Sequence, residues 1–209
     1  MHTMATHTAL LSRISQKLMD NIAVFASGSG SNAENIIRHF NGGNTAAVKL
    51  VVCNKENARV LERAANLGIP SVVMPREELT CENPQKLLAL LNGKDIDLIV
   101  LAGYLLKIPE ALTIRFKERI INIHPALLPK FGGKGMYGMN VHRAVIEAGE
   151  AESGITIHLV DAVYDNGKIL FQSGVAENCN AAVVQIHGAV VAGDNAAGLF
   201  VIVGVVDGS

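Results

Sequence analysis

The chain has 209 residues, 49% of them hydrophobic and 18% charged, and a formal net charge of -1. That length and composition fit one globular domain with a substantial core and exclude a disordered chain. The missing basic excess argues against a nucleic-acid partner, whereas a small phosphorylated ligand needs only a local nest of N–H groups.

Residues 1–19 contain hydroxyls, Arg13 and Lys17 but no acid. An organellar transit peptide has that composition, and so does an upstream start preceding a natural Met19; in both cases the segment stands outside the fold. From residue 20 to 172 strand and helix signals alternate. Asn21–Ala26 is a short apolar strand followed by a Ser/Gly run, and Asn32–Phe40 is helical. Val48–Cys53 predicts a buried strand; Asn57–Leu67 carries Val60, Leu61, Ala64, Ala65 and Leu67 at helical spacing, with Gly68 as the stop. Ser71–Met74 is a third strand, and Asn83-Pro84 offers a cap and first-turn proline for a helix through Leu91. Asp97–Ala102 is a nearly continuous apolar run, as expected of a strand covered on both faces. Ile120–His124 is another strand, and Ile155–Val160 with Lys168–Phe171 predicts a late hairpin turning through Tyr164-Asp165-Asn166-Gly167. This order predicts an α/β fold: an open, doubly wound, mostly parallel sheet with a late antiparallel hairpin, its ligands outside the carboxyl ends of the strands.

Residues 173–209 break the pattern. All 18 Lys and Arg precede them, and Gly188, Gly193, Gly198 and Gly204 interrupt any long helix, each at a cost of roughly 1 kcal/mol relative to alanine. The cysteines Cys53, Cys81 and Cys179 are far apart and show no CxxC or Cys/His spacing. Reduced thiols in a cytoplasmic protein are therefore expected, with no structural zinc. No uninterrupted apolar run reaches the roughly 18 residues of a membrane helix, and the valine-rich Leu199–Val206 stretch is too short.

Three segments carry chemistry. Ser27-Gly28-Ser29-Gly30-Ser31-Asn32 joins the first strand to the first helix. Small residues there let backbone N–H groups at a helix N-terminus approach an anion, so the loop is expected to hold a phosphate. It lacks the lysine of a Walker loop, and Ala33 breaks a GxGxxG pattern. Asn122 and His124 lie two apart on one strand, so they face the same side while Ile123 faces away. An amide donor beside an imidazole can hold the oxygen of a tetrahedral intermediate and move a proton. Pro125 and Pro129 fix the exit of the chain. Asp161–Gly167 supplies a carboxylate, Asp161 or Asp165, to orient His124 and favour its protonated form. His158, alternating with apolar neighbours, reads as a strand residue with a satisfied hydrogen bond. His142 beside Arg143 reads as a helix start at the surface or pocket rim. No HxxxH or HExxH spacing points to a metal.

With these residues in hand, the chain resembles the folate-dependent phosphoribosylglycinamide formyltransferase family of purine synthesis. The likeness covers about residues 20–172 and rests on NIAVFASGSGSN, VVCNKENARVLERAANLGIP, LIVLAGYLLKIP, INIHPALLPKFGGKG and GITIHLVDAVYDNGKILFQ. The resemblance implies the formyltransferase fold and transfer of the formyl group of 10-formyltetrahydrofolate to the amine of glycinamide ribonucleotide, without a metal, in a monomer or homodimer. It assigns the substrate phosphate to Gly30, Ser31 and Asn32, the formyl group to Asn122 and His124, and the catalytic aspartate to Asp165. The folate would lie against Leu105, Leu106, Lys107 and Ile108 and the Asp161–Asp165 loop, with Asn122 in contact and Arg76 as a further folate-contacting residue. In the implied mechanism the neutral amine attacks directly, Asn122 and protonated His124 stabilise the oxyanion, and Asp165 holds the imidazole.

Two departures from the family pattern stand out. Ala126 replaces the serine often found after His-Pro, a small change. The family continues beyond the Phe171-Gln172 strand into a charged amphipathic helix carrying an acid for the ribose. No counterpart follows Gln172, so an altered or frameshifted C-terminus is expected, with impaired substrate affinity. Two other readings remain. A formyltetrahydrofolate hydrolase typically adds a regulatory domain, and a degenerate folate- or nucleotide-binding protein would bind folate without consuming formyl groups. A tRNA-directed relative would need an added basic domain.

Overall fold

A computed structural model describes residues 20–176, 189–192 and 200–203. The expectations for residues 1–19, and those for 177–188, 193–199 and 204–209 within the atypical tail, lie outside it. The strands are β1 (Asp20–Ala26), β2 (Ala46–Cys53), β3 (Ser71–Val73), β4 (Leu98–Leu101), β5 (Ile120–His124), β6 (Glu152–Leu159) and β7 (Ile169–Ala176). They form one sheet in the order β3-β2-β1-β4-β5-β6-β7. β1 through β5 are parallel, whereas β6 and β7 run antiparallel. β8 (Ala189–Ala192) and β9 (Phe200–Val203) pair antiparallel as a separate ribbon.

The helices are α1 (Ser31–Phe40), α2 (Arg59–Asn66), α3 (Arg76–Thr80), α4 (Gln85–Gly93), α5 (Glu110–Arg115) and α6 (Met139–Glu147). Strand alternation sends apolar side chains to both faces, as a doubly covered sheet requires. On one face Val24, Val51, Val100 and Ile121 pack with Ile36, Ile37 and Phe40 of α1 and Val60 and Ala64 of α2. On the other, Phe25, Val52, Ile99 and Ile120 pack with Leu79, Leu87, Leu91 and Leu112 from α3 to α5 and with Phe116 just after α5. Among the described residues no helix is long and apolar enough to cross a membrane.

The sheet matches the expected architecture, and most predicted elements shift by only a residue or two. Three helices, α3, α5 and the body of α6, carry no signal strong enough to read beforehand. α3 and α5 are only five and six residues long, too short for a clear 3.6-residue period. His142 lies in the first turn of α6 and borders a cavity, as expected. The α4 cap differs: Pro84 occupies the N-cap position and no side chain caps the helix. Asn83 instead accepts a hydrogen bond from the Gln85 side-chain amide. The late hairpin forms, but not around a tight four-residue turn. The Leu159 N–H donates to the Lys168 carbonyl at 2.9 Å, closing a longer loop that carries Asp165 in a left-handed conformation, φ 51°.

Candidate active site

The strand order reverses between β1 and β4: the connection leaving β1 runs out to β2 on one side, and the one leaving β4 runs to β5 on the other. A crevice forms at such a switch point because the two connections diverge over opposite faces. Here it is a cavity of about 680 Å³. Its wall is built from the loop after β1, the segment after β4, the tip of β5 and the loop between β6 and β7.

The loop after β1 contributes Gly28 through Asn32. Gly30 adopts φ 77° and precedes α1, whose first turn presents N–H groups with no intrahelical acceptor. The buried Ser27 hydroxyl accepts the Leu105 N–H at 3.0 Å, and the Ser27 N–H donates to the Gly103 carbonyl. Both walls of the crevice are thereby held in one register. From the second wall Leu105, Leu106, Lys107 and Ile108 line the cavity, with Arg76 at its edge. The Lys107 ammonium lies 5.7 Å from the Tyr164 ring centroid, joining this wall to the β6–β7 loop.

At the tip of β5, Asn122 and His124 line the cavity from one face of the strand; Ile123 also borders it but packs into the apolar cluster of the other face. Alternation along the strand therefore does what its period demands. The His124 Nε2 lies 2.9 Å from the Phe131 carbonyl, which only accepts, so Nε2 carries a hydrogen. Its Nδ1 is 3.7 Å from Asp165 Oδ2. Asp165 also receives the Gly133 N–H at 2.9 Å and the Asn122 amide at 3.3 Å. Asp161 is different: its carboxylate accepts the Val163 N–H at 2.8 Å in a local turn at the exposed rim. Both aspartates line the cavity, but Asp165 is the one brought to His124.

His158 belongs to this cluster, although the sequence suggests only a strand residue. Antiparallel pairing sets it directly opposite Asn122. Its Nε2 lies 3.1 Å from Asn122 Nδ2 and 3.4 Å from Asp165 Oδ1, while Nδ1 contacts the Leu159 carbonyl at 2.8 Å. When Nε2 carries a hydrogen it donates to Asp165, and when it does not it accepts from Asn122. Its position on the same face as Thr156 was readable. Its adjacency to Asn122 depends on a pairing between distant strands.

Burial pushes the His124 pKa down, and neighbouring His158 adds to that, while Asp165 and the Phe131 carbonyl pull it up. The balance lies below the ordinary imidazole value. Asp165 does favour protonated His124, as expected, but desolvation of the ring, 2% exposed, outweighs one carboxylate at 3.7 Å. Burial also acts on Asp165, pushing it up. The hydrogen bonds from His158 and Gly133 and the charges of the two histidines overcome that and hold it below the usual carboxylate range. Together the geometry offers an anion-binding loop, an amide, an imidazole and an ionised carboxylate around one cavity.

A protein-family model described as formyl transferase matches residues 20–190. The chain is 47% identical over 158 residues to the chloroplastic phosphoribosylglycinamide formyltransferase of Arabidopsis thaliana, covering 74% of this chain and 54% of that protein. It is 38% identical over 160 residues to the phosphoribosylglycinamide formyltransferase of Haemophilus influenzae, covering 75% of this chain and 73% of the relative. A solved structure of glycinamide ribonucleotide transformylase 1 from Geobacillus kaustophilus superposes with a TM-score of 0.70 at 36% identity, over 78% of this chain and 86% of that one. The chain spans about half the length of the plant relatives it matches.

Proposed function

The chain belongs to the formyl transferase family, and from that premise we propose that it transfers the formyl group of 10-formyltetrahydrofolate to the amine of glycinamide ribonucleotide. The observation that carries this reading is the single cavity in which Gly30, Ser31 and Asn32 face the same space as Asn122, His124 and Asp165. A ribonucleotide phosphate held at the first group leaves its amine end free to reach the second.

The formyl donor supplies an activated carbonyl on an amine leaving group. Leu105, Leu106, Lys107, Ile108 and Asp161, with Arg76 at the edge, form the wall that would hold its ring system and tail. The substrate amine attacks the formyl carbon while Asn122 and His124 face the oxygen that gains charge. Burial lowers the His124 pKa, which favours the uncharged ring at neutral pH, so it is able to accept a proton as attack proceeds. Asp165, ionised and 3.7 Å away, stabilises the imidazolium that forms, and the proton then passes to the departing nitrogen. Holding both reactants in one site adds effective concentration. For His124 to reach the oxyanion, its bond to the Phe131 carbonyl must be exchanged for one to substrate.

The test is a spectroscopic transfer assay with 10-formyltetrahydrofolate, run with and without glycinamide ribonucleotide. Formyl consumption that depends on the amine is expected, and His124→Ala should lower turnover by roughly 100-fold or more. Consumption without the amine would identify a hydrolase instead, and folate binding without consumption a binding protein.

A further inference from the structure

The anion-facing loop is held from behind by α2, and we infer that Arg63 is a positioning residue that sets the affinity for the substrate phosphate. This rests on the reading of Gly30, Ser31 and Asn32 as the phosphate contacts. A loop binds an anion through its N–H groups only if its carbonyls are turned elsewhere. Here two carbonyls are turned onto α2: Gly28 accepts the Val60 N–H at 3.2 Å, and Ser29 accepts the Arg63 Nε–H at 3.0 Å. The fit is close, since a Cβ on Gly30 would stand 2.5 Å from the Val60 side chain.

Arg63 has a second task. Glu34 lies in the first turn of α1, where its charge complements the helix dipole but repels an incoming phosphate. Its two oxygens are divided between guanidinium groups: Arg38 pairs with Oε1 at 2.8 Å and Arg63 pairs with Oε2. One side chain therefore both withdraws a carbonyl dipole from the anion site and screens the acid in the first turn of α1. Arg63 does not line the cavity, so it acts through the loop rather than by touching substrate. Lysine is a poor replacement, because a single ammonium cannot present two N–H groups to two acceptors in the fixed fork of a guanidinium.

The experiment compares wild type, Arg63→Met and Arg63→Lys in two assays. Steady-state transfer is measured with glycinamide ribonucleotide and with its dephosphorylated ribonucleoside, and ribose 5-phosphate binding is measured by calorimetry. Arg63→Met should raise KM for the ribonucleotide roughly tenfold, the size expected for a lost charge-assisted hydrogen bond. kcat, the KM for the formyl donor and kcat/KM for the ribonucleoside should stay within about twofold, and Arg63→Lys should recover part of the loss. A merely structural role would depress both substrates alike, and that result would overturn the inference. Equal ribose 5-phosphate affinity in wild type and both variants would overturn it too, even if wild type showed no transfer. Absence of transfer in wild type would instead count against the proposed function.

Discussion

At His124 two influences oppose each other at one imidazole. Burial removes water from the charged form and lowers its pKa, while Asp165 at 3.7 Å raises it; burial prevails. The consequence is measurable ring by ring. In an NMR titration of the free protein, His124 should titrate below about 6.5, the ordinary imidazole value. Replacing Asp165 by Asn removes the main influence raising it, so the midpoint should move lower still. A midpoint at or above the ordinary value in wild type, or an upward move in Asp165→Asn, would contradict this balance. Much of the cluster was legible beforehand: a strand period of two sends Asn122 and His124 the same way whatever surrounds them. The sign of the His124 shift was not, because it depends on how completely the ring is covered. Nor was His158, whose place opposite Asn122 comes from the β5–β6 register, a pairing between residues 36 apart in the chain.

The strand tips keep their geometry because the turn leaving β5 is fastened to β6 and β7. Thr156, fully buried and opposite His124 in register, donates its hydroxyl to the Ala126 carbonyl at 2.6 Å and accepts the Leu128 N–H at 3.0 Å. Gln172 adds donors to Thr156 Oγ1 at 2.9 Å and to the Leu128 carbonyl at 2.8 Å. Thr156→Val keeps the shape and strands those buried partners, at about 1–3 kcal/mol for each group left unsatisfied. Urea unfolding should show a loss of that order, and transfer activity should fall further than stability alone accounts for, because the His124 exit turn loses its anchor. A neutral change in both would mean that the turn is held by its prolines alone. Elements such as β1, β2 and β4 announce themselves by largely apolar runs. The anchoring of this turn is invisible in sequence, since a threonine in a strand is ordinary until its partners are known.

The largest consequence for the whole molecule is how its stability responds to acid. His124 has a folded pKa below its unfolded value, so as pH falls through about 6.5 the unfolded chain takes a proton that the folded one refuses. Stability is then complete above that value and declines beneath it until the lower folded pKa is reached. Asp165, also depressed in the folded state, contributes stability present above the ordinary carboxylate value and lost as pH falls toward its folded pKa. Both slopes have the same sign, so the site destabilises the fold in two successive acid steps. Denaturant titrations of wild type and His124→Asn across pH 4–8 isolate the first step, because this range lies above the ordinary carboxylate value and subtracting the curves cancels the shared groups that do not interact with His124. The advantage of wild type over the variant should be constant above about pH 7.5 and shrink as pH drops below about 6.5. In Asp165→Asn that first decline should extend to lower pH, since His124 is then shifted further. An advantage that grew on acidification would mean that the folded protein prefers His124 charged, and the site would begin its reaction with the proton already in place.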